Sequence, residues 1–98
     1  MTSIAWTNED LAFIKNSILR FFPHSEIIFF GSRTKGTHQI GSDLDVCIRD
    51  SSPLSLSEWA KLDEVFSNSD LPYKVDISDW NRISTEFQKV IQTTGRII

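Results

Sequence analysis

Ile27-Ile28-Phe29-Phe30-Gly31-Ser32, then the ten residues Arg33 to Ser42, then Asp43-Leu44-Asp45-Val46-Cys47-Ile48, is the stretch that decides the fold. Its first four residues form a continuous apolar run that stops at a glycine, the pattern of a strand buried on both faces. Leu44 to Ile48 alternates strictly. Leu44, Val46 and Ile48 point one way, and Asp43, Asp45 and Cys47 the other. The two aspartates therefore share a face, roughly 6–7 Å apart at the backbone. Carboxylates that close repel unless a cation or a proton stands between them.

Outward from this stretch the chain reads as alternating helices and strands. Thr7 followed by Asp10 has the form of a capping box, and Leu11, Ile14, Ile18 and Phe22 recur at helical spacing until Pro23 ends the run. Ser51-Ser52-Pro53 breaks the second strand. Ser57 to Phe66 reads as a helix with Ser57 as its N-cap and Trp59, Leu62 and Phe66 on one stripe. Tyr73 to Ser78 is a third strand. Tyr73, Val75 and Ile77 face one side, and Lys74, Asp76 and Ser78 the other. Asp79 is placed to cap a last helix with Ile83, Phe87, Val90 and Ile91 buried, ending near Gly95, and Arg96-Ile97-Ile98 forms a short extended end. The order predicts one α/β (α+β) domain over residues 1–98: a small mixed sheet of at least three strands with helices packed on it.

Composition narrows the function. The 98 residues carry 40% apolar side chains, a globular proportion. A single cysteine, Cys47, rules out an intramolecular disulfide. No basic leader precedes an apolar run, and no stretch reaches the ~20 apolar residues of a membrane span, so the expectation is a cytoplasmic protein without a membrane partner. The net charge of −3, with cations spread along the chain, disfavours nucleic acid as a direct substrate.

Asp76 repeats the character of Asp43 and Asp45: a carboxylate on a strand whose neighbours face the core. Three such groups on one sheet face suit Mg²⁺, a hard cation that shares its oxygen ligands with water and substrate phosphates. Gly31-Ser32 adds a turn at which backbone comes close to a phosphate. Ser32 offers one more hydrogen bond, and Arg33 or Lys35 is placed to add charge. Taken singly, each of these residues is more often a solvated strand acid, a turn or a surface cation. Their common spacing is what gives them meaning. His38 reads as a loop histidine, Cys47 as a small filler, and Asp79 as a cap or surface residue.

Gly31-Ser32, ten residues, then Asp43-Leu44-Asp45, with a later acid in Lys74-Val75-Asp76-Ile77, resembles the signature of the DNA polymerase β-type nucleotidyltransferase superfamily, and most of all its minimal nucleotidyltransferase branch. The resemblance extends from about Leu11 to Ile97 and implies that family's fold. It further implies a metal-dependent enzyme that moves AMP from ATP onto a hydroxyl of a partner protein. Asp43 and Asp45 would bind two Mg²⁺ ions, and Asp76 would bind the catalytic one and help activate the acceptor. Gly31, Ser32 and Arg33 would bind the nucleotide. The partner it implies is a toxin of the HEPN class, with this chain as antitoxin. A non-catalytic antitoxin that caps such a toxin, or a nucleotide-sensing domain, is the alternative.

Overall fold

Glu26–Phe30 forms β1, four of whose five residues are buried, as the continuous apolar run requires. The structure, a computed structural model, describes residues 5–39 and 41–98. Ahead of β1 lies α1, Asn8–Phe21, opened by the Thr7 and Asp10 capping box: Asp10 N–H donates to Thr7 Oγ1 at 3.0 Å and Thr7 N–H to Asp10 Oδ2 at 3.2 Å. One turn of helix, α2 (Ser32–Lys35), follows β1, and then come β2 (Leu44–Arg49), α3 (Leu56–Ser67) and β3 (Val75–Asp79). A 3-10 turn over Trp80–Arg82, α4 (Thr85–Thr94) and the short β4 (Arg96–Ile97) complete the chain.

The sheet order is β3-β2-β1-β4. β1 pairs antiparallel with both β2 and β4, and β2 pairs parallel with β3, so the sheet is mixed. One face carries Ile27, Phe29, Leu44, Val46, Val75 and Ile77 against Ile14 and Ile18 of α1 and Leu62 and Phe66 of α3. The other carries Ile28, Phe30 and Cys47 against Ile91 of α4, with Trp80 and Ile83 at its rim. Each core is the side predicted by period-2 alternation. Cys47 is thus a filler under α4. Burial, then the charge of Asp79, pushes its thiol up to about 12, with Arg49 acting the other way.

Three local expectations are corrected. The N-cap of α3 is Ser55, whose hydroxyl accepts from Glu58 N–H, and not Ser57. Asp79 does not cap α4. It caps the 3-10 turn, while Ser84 caps α4 by accepting from Phe87 N–H at 3.1 Å. On α4 only Ile91 is fully buried: Val90 stays exposed, and Phe87 packs edge-on to Phe30 while keeping part of its surface open. Trp6 packs edge-on to Phe29 with ring centroids 5.0 Å apart.

Candidate active site

One end of the sheet gathers the C-terminus of β1 and the N-termini of β2 and β3, with Phe87 of α4 edge-on to Phe30. In the β2–β3 register Asp45 stands directly beside Asp76, and Phe30, the last residue of β1, stands on its other side. The parallel pairing brings the two acids together: Leu44 N–H donates to Lys74 O at 2.8 Å, which sets the register in which Asp45 and Asp76 are neighbours. Asp43 lies one residue before β2, on the same side as Asp45 by alternation.

Gly31 closes the arrangement. Its φ is +82°, in the region that L side chains rarely adopt, and a Cβ placed there would lie 2.0 Å from Asp45 Oδ2. The glycine therefore serves two needs at once, the turn out of β1 and the approach of that turn to the acid. Ser32 begins α2, a single turn whose first N–H groups have no acceptor within the helix.

The electrostatics show that the carboxylates converge. Asp45 is held above the usual carboxyl value of 3.8, first by burial, then by the charge of Asp76, then by that of Asp43. Its ionised form is uncompensated by any protein cation in that balance, and a bound cation would relieve all three causes. Among the described residues, no three His, Cys, Asp or Glu side chains are drawn together closely enough to cage an ion unaided. The donors present are carboxylate oxygens, the hard ligands that Mg²⁺ takes one or two at a time beside phosphates and water. The donor set fits the metal.

Arg33 sits differently from the phosphate ligand expected of it. Its side chain is buried, only 5% exposed, and donates from Nε to Ser42 O at 2.8 Å and from Nη1 to Ala5 O at 3.0 Å. The loop before the acids is tighter than its length suggests: Ser42 N–H donates to Gln39 O and Gln39 N–H to Ser42 Oγ, both at 3.0 Å, around Gly41 at φ +89°. The residue missed in the sequence is Asp79. It is 1% exposed, accepts from Leu54 N–H at 2.9 Å and Asn81 N–H at 3.0 Å, and is paired with Arg82. The signal was present, since Asp79 continues the inward-facing series Tyr73, Val75, Ile77.

Known proteins resemble this chain in sequence and fold. Residues 14–98 match the family described as Polymerase beta, Nucleotidyltransferase. The probable protein adenylyltransferase MntA of Haemophilus influenzae is 39% identical over 101 residues, spanning all of this chain and 89% of that protein. A crystal structure of the toxin–antitoxin MntA-HpeT, in a mutant form, superposes with a TM-score of 0.77 at 26% identity over 95% of this chain and 72% of that one. A toxin–antitoxin crystal structure with AMP-PNP gives 0.67 at 25% identity, over 85% of this chain and 70% of that one.

Proposed function

The chain belongs to the polymerase β-type nucleotidyltransferase family, and on that premise we propose that it moves AMP from ATP onto a hydroxyl of a partner protein. The observation that carries the proposal is the contact of the Gly31 turn with Asp45, itself in register beside Asp76. A phosphate-binding turn and paired carboxylates at one sheet end are what nucleotidyl transfer needs: the α-phosphorus must be held within reach of the acids. The similarity to a protein adenylyltransferase and to toxin–antitoxin structures, one of them with AMP-PNP, supports a protein acceptor and ATP.

In this reading Gly31 and the Ser32 hydroxyl and N–H receive the triphosphate tail. Asp43, Asp45 and Asp76 would hold Mg²⁺, two ions with ATP, and the chemistry supplied there would be neutralisation of phosphate charge and easier loss of the acceptor's proton. The acceptor oxygen forms the new bond to the α-phosphorus, the bond to the bridging oxygen breaks, and pyrophosphate leaves. Asp76, exposed at the sheet edge, takes up the acceptor's proton. Arg33 shapes the site from behind it. The acceptor we assign is a HEPN-class toxin that this chain silences in the cytoplasm.

The test is acceptor labelling by ATP carrying label on the α- or the γ-phosphate. Label arriving from the α-position alone, and lost in Asp43→Asn and Asp45→Asn, supports transfer. Neutralisation of the partner by Asp43→Asn, Asp45→Asn double variant at equal expression would replace it with a capping, non-catalytic antitoxin.

A further inference from the structure

Behind the acids lies a buried polar column that the transfer chemistry does not use directly. Its centre is the Arg33 guanidinium, whose carbon stands 4.3 Å from the centroid of the Tyr73 ring. While that face stacks, the edge donates to the Ser42 and Ala5 carbonyls. Tyr73, itself buried, donates its hydroxyl to Asp10 Oδ2 at 2.9 Å, the oxygen that also accepts from Thr7 N–H in the capping box of α1.

The places of these residues in the chain give the column its meaning. Arg33 follows Ser32 of the phosphate turn, Ser42 precedes Asp43, and Tyr73 stands three residues before Asp76. One side chain thus touches the flank of all three segments that build the site. Only a guanidinium suits the position, because it donates along its edge in two directions while its flat face lies on an aromatic ring. With its Nε and Nη1 donors turned to backbone carbonyls of the protein, Arg33 is occupied in holding the site together.

We infer that Arg33 is a positioning residue, which locks the Asp43 loop and the start of β3 to the phosphate turn and is itself held in place by Tyr73 and Asp10. The inference rests on the transferase reading for its catalytic readout only. Arg33→Lys keeps the charge and loses the fork. Tyr73→Phe keeps the ring and loses the bond to Asp10, and it is the milder variant should Arg33→Lys not fold. Three quantities are measured on folded protein: the Kd of AMP-PNP without metal, the Kd of Mn²⁺ with AMP-PNP saturating, and kcat and KM for AMP transfer from ATP.

For Arg33→Lys the expected result is a metal-free AMP-PNP Kd within about twofold of the parent, with Mn²⁺ bound about 10-fold or more weaker, the loss typical when support behind a metal ligand is removed. kcat falls in parallel and KM for ATP holds. Tyr73→Phe moves the same quantities less. A metal-free AMP-PNP Kd that rises while Mn²⁺ affinity holds overturns the inference and makes Arg33 a phosphate ligand. A lower Tm with all three quantities unchanged also overturns it, leaving a purely structural residue. Should the parent protein transfer no AMP, the functional proposal falls, and the two binding measurements still decide the role of Arg33.

Discussion

Gly31 is the residue on which the site turns, because it has neither conformational nor spatial room for a side chain. Gly31→Ala is expected to cost about 1–3 kcal/mol of stability from the left-handed backbone alone. It should lower transfer by ~100-fold or more, since displacement of ~1 Å at a reacting centre has that effect. Steady-state kinetics on folded variant checks it. Asp45 is the second such residue. Its carboxyl is raised above 3.8 by burial, Asp76 and Asp43, so the folded chain holds this proton to higher pH than the unfolded chain does. The stability it contributes is complete below 3.8 and is lost as pH rises through the folded value. At neutral pH ionised Asp45 therefore works against folding. Asp45→Asn should raise Tm at pH 7 while abolishing transfer, and the gain should fade as the pH is lowered toward 4. Mg²⁺ with AMP-PNP should raise Tm of the parent and not of the variant.

At the scale of elements, strands were more legible than helix ends. The alternation in Leu44–Ile48 and the apolar run Ile27–Phe30 fixed which side chains face which core, because period 2 admits no intermediate register. Helix ends depend on which of several serines or aspartates the tertiary structure lets reach a backbone N–H, and so Ser55 displaced Ser57, and Ser84 displaced Asp79. Asp79 went unrecognised because one of its partners, the Leu54 N–H, lies 25 residues away and is brought to it only by the fold, although Arg82 is local. Asp79→Ala strands the Leu54 N–H and is expected to destabilise the fold by about 2–3 kcal/mol, measured by urea unfolding. The half-exposed Arg82 keeps the figure below that of a fully buried pair. Gly95 joins α4 to β4 with φ −83°, so space and not conformation demands glycine: a Cβ would meet Ile91 O at 2.5 Å and Ile28 Cγ2 at 2.6 Å. Gly95→Ala should cost about 1–3 kcal/mol by overpacking. It should also speed alkylation of Cys47, whose thiol in the parent is buried against Ile91 of α4 and held protonated by that burial.

For the whole molecule, the candidate site was legible as a set of residues and not in what supports it. Asp43, Asp45, Asp76, Gly31 and Ser32 stand out by spacing along strands, and the register places Asp45 beside Asp76 and against Gly31. The column of Arg33, Tyr73 and Asp10 joins residues up to 63 apart in sequence, and no local pattern announces such a contact. α4 packs on the acid-bearing face through Ile91, over Ile28, Phe30 and Cys47. No helix among the described residues is long and apolar enough to cross a membrane. The measurement that tests the central claim most directly is the intact mass of the partner protein after incubation with this chain, ATP and Mg²⁺. The account requires a gain of whole AMP units, absent without metal and absent with Asp43→Asn or Asp45→Asn. An unmodified partner, inhibited all the same by this chain and by the acid variants alike, would contradict it.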